Sequence, residues 1–269
     1  MVITFLSDYG LEDDFVGVCH AVMARVAPDV RVVDLAHSIA RHDLRTGALI
    51  LRRTLPFAAP GVHLAVIDPE VGGRRRAVAL RCAEEDRLLV GPDNGLLLPA
   101  AEQFGGVVEA VEISGSPHRL RPVSATFHGR DLFAPVAAAL AAGAPLAEAG
   151  RPLEVDELVA LSLPEARIEG SEIVAHALAI DRYGNVTLDA LHEQLSEAGL
   201  RLGRKVVASV EGEEHDAQYA TTFADVGTGE LVLYEDAYRT LALAVNRGSA
   251  ADRMGVRLDD EVRLRPSGP

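Results

Sequence analysis

The sequence predicts an α/β protein in two parts: an N-terminal, mostly parallel sheet flanked by helices, then a smaller C-terminal all-β, barrel-like domain. Three observations carry this. In the first half, short runs of Val, Leu and Ile alternate with longer stretches of helical periodicity, the pattern of buried parallel strands covered by helices. Residues 143–164 carry prolines, glycines and acidic residues with little periodicity, as a connection does. Beyond them, β-like runs separated by turn signals replace the alternation. The expected domains are therefore residues 1–160 and 161–269.

Taken in order, the first-half strands are expected at Val2–Leu6, Arg31–Leu35, Val62–Ile67, Ala77–Arg81 and Leu88–Val90. Between the first two, Asp13 can cap a helix whose apolar positions Phe15, Val18, Cys19, Val22 and Val26 recur at helical spacing until Pro28 closes it. The alanine-rich run VAAALAAG after Thr126–Pro135 predicts a second helix. In the second half, Glu172–Ile180, Lys205–Val210, Glu230–Tyr234, Thr240–Val245 and Glu261–Leu264 read as strands, with one short helix near Leu188–Ala198.

Composition excludes several functions. With 40 acidic against 26 basic residues, the formal charge of -14 repels phosphate backbones and anionic membrane surfaces, so no nucleic acid or membrane partner is expected. No apolar run approaches the roughly 20 residues of a membrane span, and MVITFLSDYG meets an acidic residue too early for a secretory signal, so a cytoplasmic protein is expected. Cys19 and Cys82 each lie in an apolar run, as buried thiols do. Neither metal-ligand spacings nor a nucleophile elbow nor a phosphate-binding glycine loop is present, so no metal and no cofactor are expected.

Polar residues collect where the predicted strands end. The first leads into Asp8, the second into Asp34 and His37, the third into Asp68 and Arg75, and Leu88–Val90 into Asp93 and Asn94. Open α/β sheets bind ligands beyond these ends, which makes four such endings a binding site rather than four ordinary loop starts. The stretch TFHGRDLFAP adds His128, Arg130 and Asp131 at the mouth of the alanine-rich helix, where free N–H groups and the helix dipole favour an anion. The plain alternative there is that Asp131 caps the first turn.

Six ordered motifs, S-D-Y-G-L-E-D, D-P-E-V-G-G-R-R-R, G-P-D-N-G-L-L, T-F-H-G-R-D-L-F-A-P, I-D-R-Y-G-N-V and A-V-N-R-G-S-A-A, resemble the S-adenosylmethionine (SAM) hydroxide adenosyltransferases, relatives of the SAM-dependent fluorinating and chlorinating enzymes. The resemblance implies a hydrolase that splits SAM at the ribose C5′ into adenosine and L-methionine, acting as a homotrimer with sites between subunits. It implies that Asp68, Arg75 and His128 handle the water, Asp8 binds ribose, Asp13 lies near the methionine end, Asp181 and Asn185 face the methionine ammonium and the adenine, and His42 and Phe223 stack on the ring. Asn94, in the G-P-D-N-G motif, is added to the substrate-binding set. Gly129 stands where the fluorinating relatives place a halide-contacting serine. Glu70 and Gly73 depart from the family's glycine and threonine, and Ala237 and Tyr238 replace the serine and arginine that hold the methionine carboxylate in the halogenating relatives. A non-catalytic adenosine or SAM binder on the same scaffold would keep Asp8, Asp181 and Asn185 without needing Asp68, Arg75 and His128.

Overall fold

In a computed structural model describing residues 1–267, the chain forms two compact units, Met1–Ser162 and Leu163–Pro269. The first unit holds strands β1 (Val2–Ser7), β2 (Arg31–Ala36), β3 (Gly61–Val66), β4 (Ala77–Cys82), β5 (Leu88–Pro92), β6 (Val107–Glu112) and β7 (Arg151–Leu153) in the order β2-β1-β3-β5-β4-β6-β7. β2, β1, β3 and β5 are mutually parallel, while β4 runs against both neighbours and β7 against β6. Five of the seven strands thus share one direction, as the buried apolar runs predict.

Helices α1 (Phe15–Val26), α2 (Leu44–Thr54), α3 (Leu98–Ala101) and α4 (Ala134–Ala141) complete the layers. One face of the sheet packs Ile3, Phe5, Val62 and Leu64 against Val16, Cys19 and Met23 of α1 and the wholly buried α4. The other packs Leu6, Ala65 and Leu89 against Ala48 and Leu51 of α2 and Ala100 of α3. The chain leaves β1 to one side for β2 and returns to its other side for β3. Between the ends of β1 and β3 it therefore makes the switch point at which such sheets open a crevice.

A buried polar link crosses the second layer. Arg87, immediately before β5, donates Nη1–H to Nε2 of His63 at 3.1 Å, and Nδ1 of His63 meets Thr4 Oγ1 at 2.8 Å. Arginine has no lone pair to offer, so His63 must be the neutral Nδ1–H tautomer. Burial first, then the Arg87 charge, hold its pKa down to about 3. A folded pKa below the ordinary 6.5 contributes stability that is complete above 6.5 and is lost as pH falls towards 3. The expected slope in that window is about 1.4 kcal/mol per pH unit. Melting temperatures of wild type and His63→Gln, taken at pH 7, 5 and 4, test this: the variant should lose stability less steeply, and equal slopes would exclude His63 as the cause.

The second unit holds β8 (Arg167–Glu169), β9 (Glu172–Ile180), β10 (Val186–Leu188), β11 (Lys205–Val210), β12 (Glu213–Tyr219), β13 (Leu231–Glu235), β14 (Leu241–Val245) and β15 (Glu261–Pro266). Seven strands close on themselves in the order β10-β14-β13-β12-β11-β15-β9, with β9 pairing back to β10 and β8 added outside β9. Closure leaves no free edge within the barrel. Alternate residues such as Ile173, Ala175, Val206, Ala208, Leu231 and Leu233 fill its interior, joined by Leu195 of α5 (His192–Glu197) and Met254 of α6 (Ala250–Met254).

Candidate active site

The crevice at the switch point is a cleft of about 430 Å³ in the first unit, lined by Asp8, Tyr9, Asp13, Phe15, Arg41, His42, Asp68, Val71 and residues 126–129. Asp8 follows β1 directly. Its Oδ2 accepts the backbone N–H of His42 at 2.9 Å, which leaves Oδ1 for a ligand. His42 adopts a left-handed φ of 66°, an uncommon conformation for a residue with a side chain, and that bend delivers both its N–H to Asp8 and its ring to the cleft. The Asp8 loop is held from behind. Ser7 Oγ takes the N–H of Tyr9 and bonds His37 Nδ1 at 2.7 Å, while Gly10, at φ 74°, donates to the carbonyl of His37.

Asp34, at 3.1 Å from Nε2 of His37 and 2.8 Å from Nε2 of His20, extends this support to the helix α1 side. Serine, histidine and aspartate meet here, but Ser7 is fully buried and its oxygen already serves Tyr9, so the set fixes a loop rather than attacking a substrate. Asp13 does not cap α1. The helix begins one residue later than the sequence suggests, the cap position falls on Asp14, and Asp13 faces the cleft.

Asp68 follows β3, and Arg75 lies seven residues on, before β4. Nε of Arg75 reaches both carboxylate oxygens at 2.9 and 3.0 Å, and Nη2 also bonds Oδ2. Phe133 lies 5.1 Å from the guanidinium carbon, so the fork is fixed by a carboxylate and by a ring. From that position Nη2 donates to Nδ1 of His128 at 2.8 Å. Nδ1 is therefore the acceptor, and the neutral imidazole carries its proton on Nε2. Burial first, and the Arg75 charge second, lower the His128 pKa below its ordinary value, which keeps that neutral form at pH 7.

The turn after His128 is not an α-helical N-terminus. Residues Gly129–Phe133 form a π-helical turn before α4, a local irregularity frequent at functional sites. Asp131 does not bond the first turn: it accepts the N–H of Ser124 at 2.8 Å and a two-pronged bond from Arg130, whose guanidinium also lies over Phe127. Of His128, Arg130 and Asp131 at the mouth, only His128 lines the cleft. In the Asp68–Arg75 loop, left-handed φ is needed only at Gly72, where a Cβ would stand 2.3 Å from the carbonyl oxygen of Ala125; Glu70 is therefore tolerated in a family position usually given to glycine.

Asn94 does not line the cleft. Its amide bonds the carbonyl of Ile67 at 2.9 Å and the N–H of Leu96, tying the end of β3 to the loop after β5. Asp93, nearly buried, is engaged by Arg76 and by the N–H of Val159. Among the described residues no group of three or more His, Cys, Asp or Glu is arranged to hold a metal ion.

The remaining expected residues belong to the barrel unit. Asp181 and Asn185 close the turn between β9 and β10: Oδ1 of Asp181 accepts the N–H groups of Tyr183 and Asn185, and Oδ2 accepts the Asn185 amide at 2.7 Å. The Phe223 ring, exposed to solvent, packs on Tyr234 with centroids 4.9 Å apart. Burial first, then the charges of Asp236 and Asp181, push the Tyr234 hydroxyl up to about 12.

Sequence reasoning passed over Tyr9, Phe15 and Phe127, an aromatic wall with centroids 5.0 to 5.9 Å apart. Tyr9 stood in the quoted S-D-Y-G motif. Only the fold shows that its ring turns into the cleft.

The chain matches known proteins over nearly its whole length. Residues 3–150 match the N-terminal domain of the SAM hydroxide adenosyltransferases and residues 175–263 their C-terminal domain. The chain belongs to that family. It is 47% identical to a protein of Salinispora tropica named (R)-S-adenosyl-L-methionine hydrolase, over 97% of each chain, and 40% identical to one of that name from Thermus thermophilus, over 97% of this chain and 98% of the other. A fluorinase of Nocardia brasiliensis is 30% identical over 98% and 96%. Among solved structures, an uncharacterised conserved protein from Thermotoga maritima superposes with a TM-score of 0.91 at 33% identity, covering 98% of this chain and 99% of its own.

Proposed function

We propose that this member of the SAM hydroxide adenosyltransferase family hydrolyses S-adenosyl-L-methionine, an oxygen of water or hydroxide attacking the ribose C5′ to give adenosine and L-methionine. The observation that carries the reading is the Asp68–Arg75–His128 chain, which ends in the cleft beside Asp8. A non-catalytic adenosine or SAM binder would have no use for it, and three relatives named as hydrolases are 40–47% identical to this chain.

In this reading the C5′–O bond forms as the C5′–S bond breaks, and the electron pair leaves with the methionine thioether. Sulfonium is a good leaving group, so placement of the oxygen is the main requirement. Hydroxide meeting sulfonium destroys charge, which a poorly solvated cleft favours once the anion is held. Arg75 supplies fixed positive charge, Asp68 orients it, and the Nε2–H of neutral His128 donates to the oxygen as it loses its proton.

Asp8 takes the ribose hydroxyls through its free oxygen. Asp8→Ala should weaken adenosine and SAM together, by about 10- to 150-fold for a lost charged hydrogen bond of roughly 1.5–3 kcal/mol; unchanged affinities by calorimetry would remove it from the ribose site. Asp13 lies at the methionine end and His42 stacks on the ring. Asp181, Asn185 and Phe223 of the barrel unit supply the methionine ammonium and adenine contacts, in a homotrimer whose sites form between subunits.

An equimolar mixture of Asp68→Ala and Asp181→Ala proteins, refolded together, should therefore regain part of the activity that neither has alone. No recovery, or a monomer by light scattering, would argue against shared sites.

The test of the function itself is incubation of metal-stripped protein with SAM in oxygen-18 water. Adenosine labelled at the 5′ oxygen, with equimolar methionine, is the expected result. SAM that binds and stays intact would favour the binding-protein reading.

A further inference from the structure

We propose that Tyr9 is a catalytic residue whose phenolic O–H donates a hydrogen bond to the attacking oxygen, as the second donor beside Nε2–H of His128. This deepens the hydrolase reading and rests on it. The ring is aimed. Phe5 and Phe127 meet it edge-on at 6.4 and 5.8 Å, Phe15 lies at 5.9 Å, and its backbone N–H is tied to Ser7 Oγ.

The hydroxyl stands against the backbone of Gly129, so close that a Cβ there would lie 2.1 Å from it. That puts it one residue from His128, inside the cleft that Asp68 also lines. Any side chain at position 129 would enter the space this hydroxyl fills, so Gly129 and Tyr9 form a matched pair. Among the described residues the hydroxyl has no hydrogen-bond partner, and Tyr9 stands in the wall of the cleft, where a ligand can satisfy it. Burial first, with the charges of Cys19, Asp68 and Asp8 behind it, raises the phenol well above its ordinary value of 10. It therefore remains protonated, a donor, throughout the working pH range.

Two N–H or O–H donors converging on one oxygen lower the pKa of bound water and hold hydroxide against the sulfonium-bearing carbon. No bond to Tyr9 forms or breaks; the proton of the attacking water passes to solvent water at the open cleft while that of the phenol stays. The same ring bounds the space around that oxygen, so the hydroxyl also limits what can stand there.

Tyr9→Phe keeps the ring and its aromatic contacts and removes only the donor. Its kcat should fall on the order of 100-fold, while KM for SAM, adenosine affinity and melting temperature stay within twofold or about 2 °C of wild type. A variant whose kcat stays within twofold of wild type would overturn the assignment. So would a rate loss matched by equal losses of adenosine affinity and melting temperature, since that is what a packing role gives. Wild type run alongside separates the two readings: if it releases no adenosine from SAM, the hydrolase reading fails and this one with it, whereas an active wild type with an equally active variant sinks Tyr9 alone.

Discussion

Asp68→Ala is expected to lower kcat on the order of 1,000-fold while leaving adenosine affinity within about twofold of wild type. The carboxylate does not touch adenosine in the proposed arrangement. It holds Nε and Nη2 of Arg75, and through them the bond to His128 Nδ1. Without it the guanidinium keeps the Phe133 ring and the His128 imidazole as neighbours but has no carboxylate to fix its plane, and both the charge and the imidazole lose their aim. Both side chains of the pair are almost fully shielded, at 4% and 6% exposure, so removing one partner leaves a buried cation uncompensated. Breaking such a pair typically costs about 3–5 kcal/mol, and the variant should also melt earlier. Single-turnover rates and adenosine calorimetry, both at a temperature well below the variant's melting point, separate the effects. A rate loss accompanied by an equal loss of adenosine binding would place Asp68 in the binding site and dissolve the triad.

Much of this site was legible because its parts sit next to punctuation that sequence shows well. Asp8, Asp68 and Arg75 follow apolar runs, and the sheet order puts the ends of β1 and β3 side by side at the switch point. Their mutual geometry was not legible from spacing alone. Arg75 and His128 are 53 residues apart and meet only because the π-helical turn before α4 sets the imidazole against the loop after β3.

The helix Leu44–Thr54 escaped notice because Gly47 interrupts it. The fold explains that glycine: Ile67 and Leu96 occupy the space a side chain would need, at 2.2 and 3.1 Å from a Cβ. The strand Glu213–Tyr219, EEHDAQY, reads as a charged turn. Its neighbours β11 and β13 hold it in the barrel wall, with only Ala217 and Tyr219 buried. The Tyr9–Gly129 contact shows the limit most directly. Gly129 could be read as the absence of a serine, but only the fold shows that a tyrosine from a loop 120 residues earlier fills the space.

The largest effect of pH on activity should come from His128, and its sign follows from which nitrogen is engaged. Protonating the ring puts a hydrogen on Nδ1, where it would face Nη2 of Arg75, so the cationic form loses a bond and gains a repulsion. Burial adds to this, and the folded pKa lies below the ordinary 6.5. Activity should therefore be flat at and above neutral pH and fall as the pH drops through that lowered pKa, on the acid side of 6.5. The same shift contributes stability that is present above 6.5 and is lost as pH falls through the folded value.

His128→Ala removes the N–H donor and leaves Nη2 of Arg75 bonded to Asp68 alone. A loss of about 100- to 1,000-fold in kcat is expected, together with disappearance of the acid limb. His128→Gln, which can place an amide N–H in roughly the same region, should recover part of the rate without restoring the limb. If kcat fell instead with rising pH between 6 and 8, the imidazolium would be the active form, and the tautomer assigned from the Arg75 bond would be wrong. If the acid limb survived in His128→Ala, another group would own it. The carboxylates of Asp8 and Asp13, which share the cleft, would be the first to replace in turn.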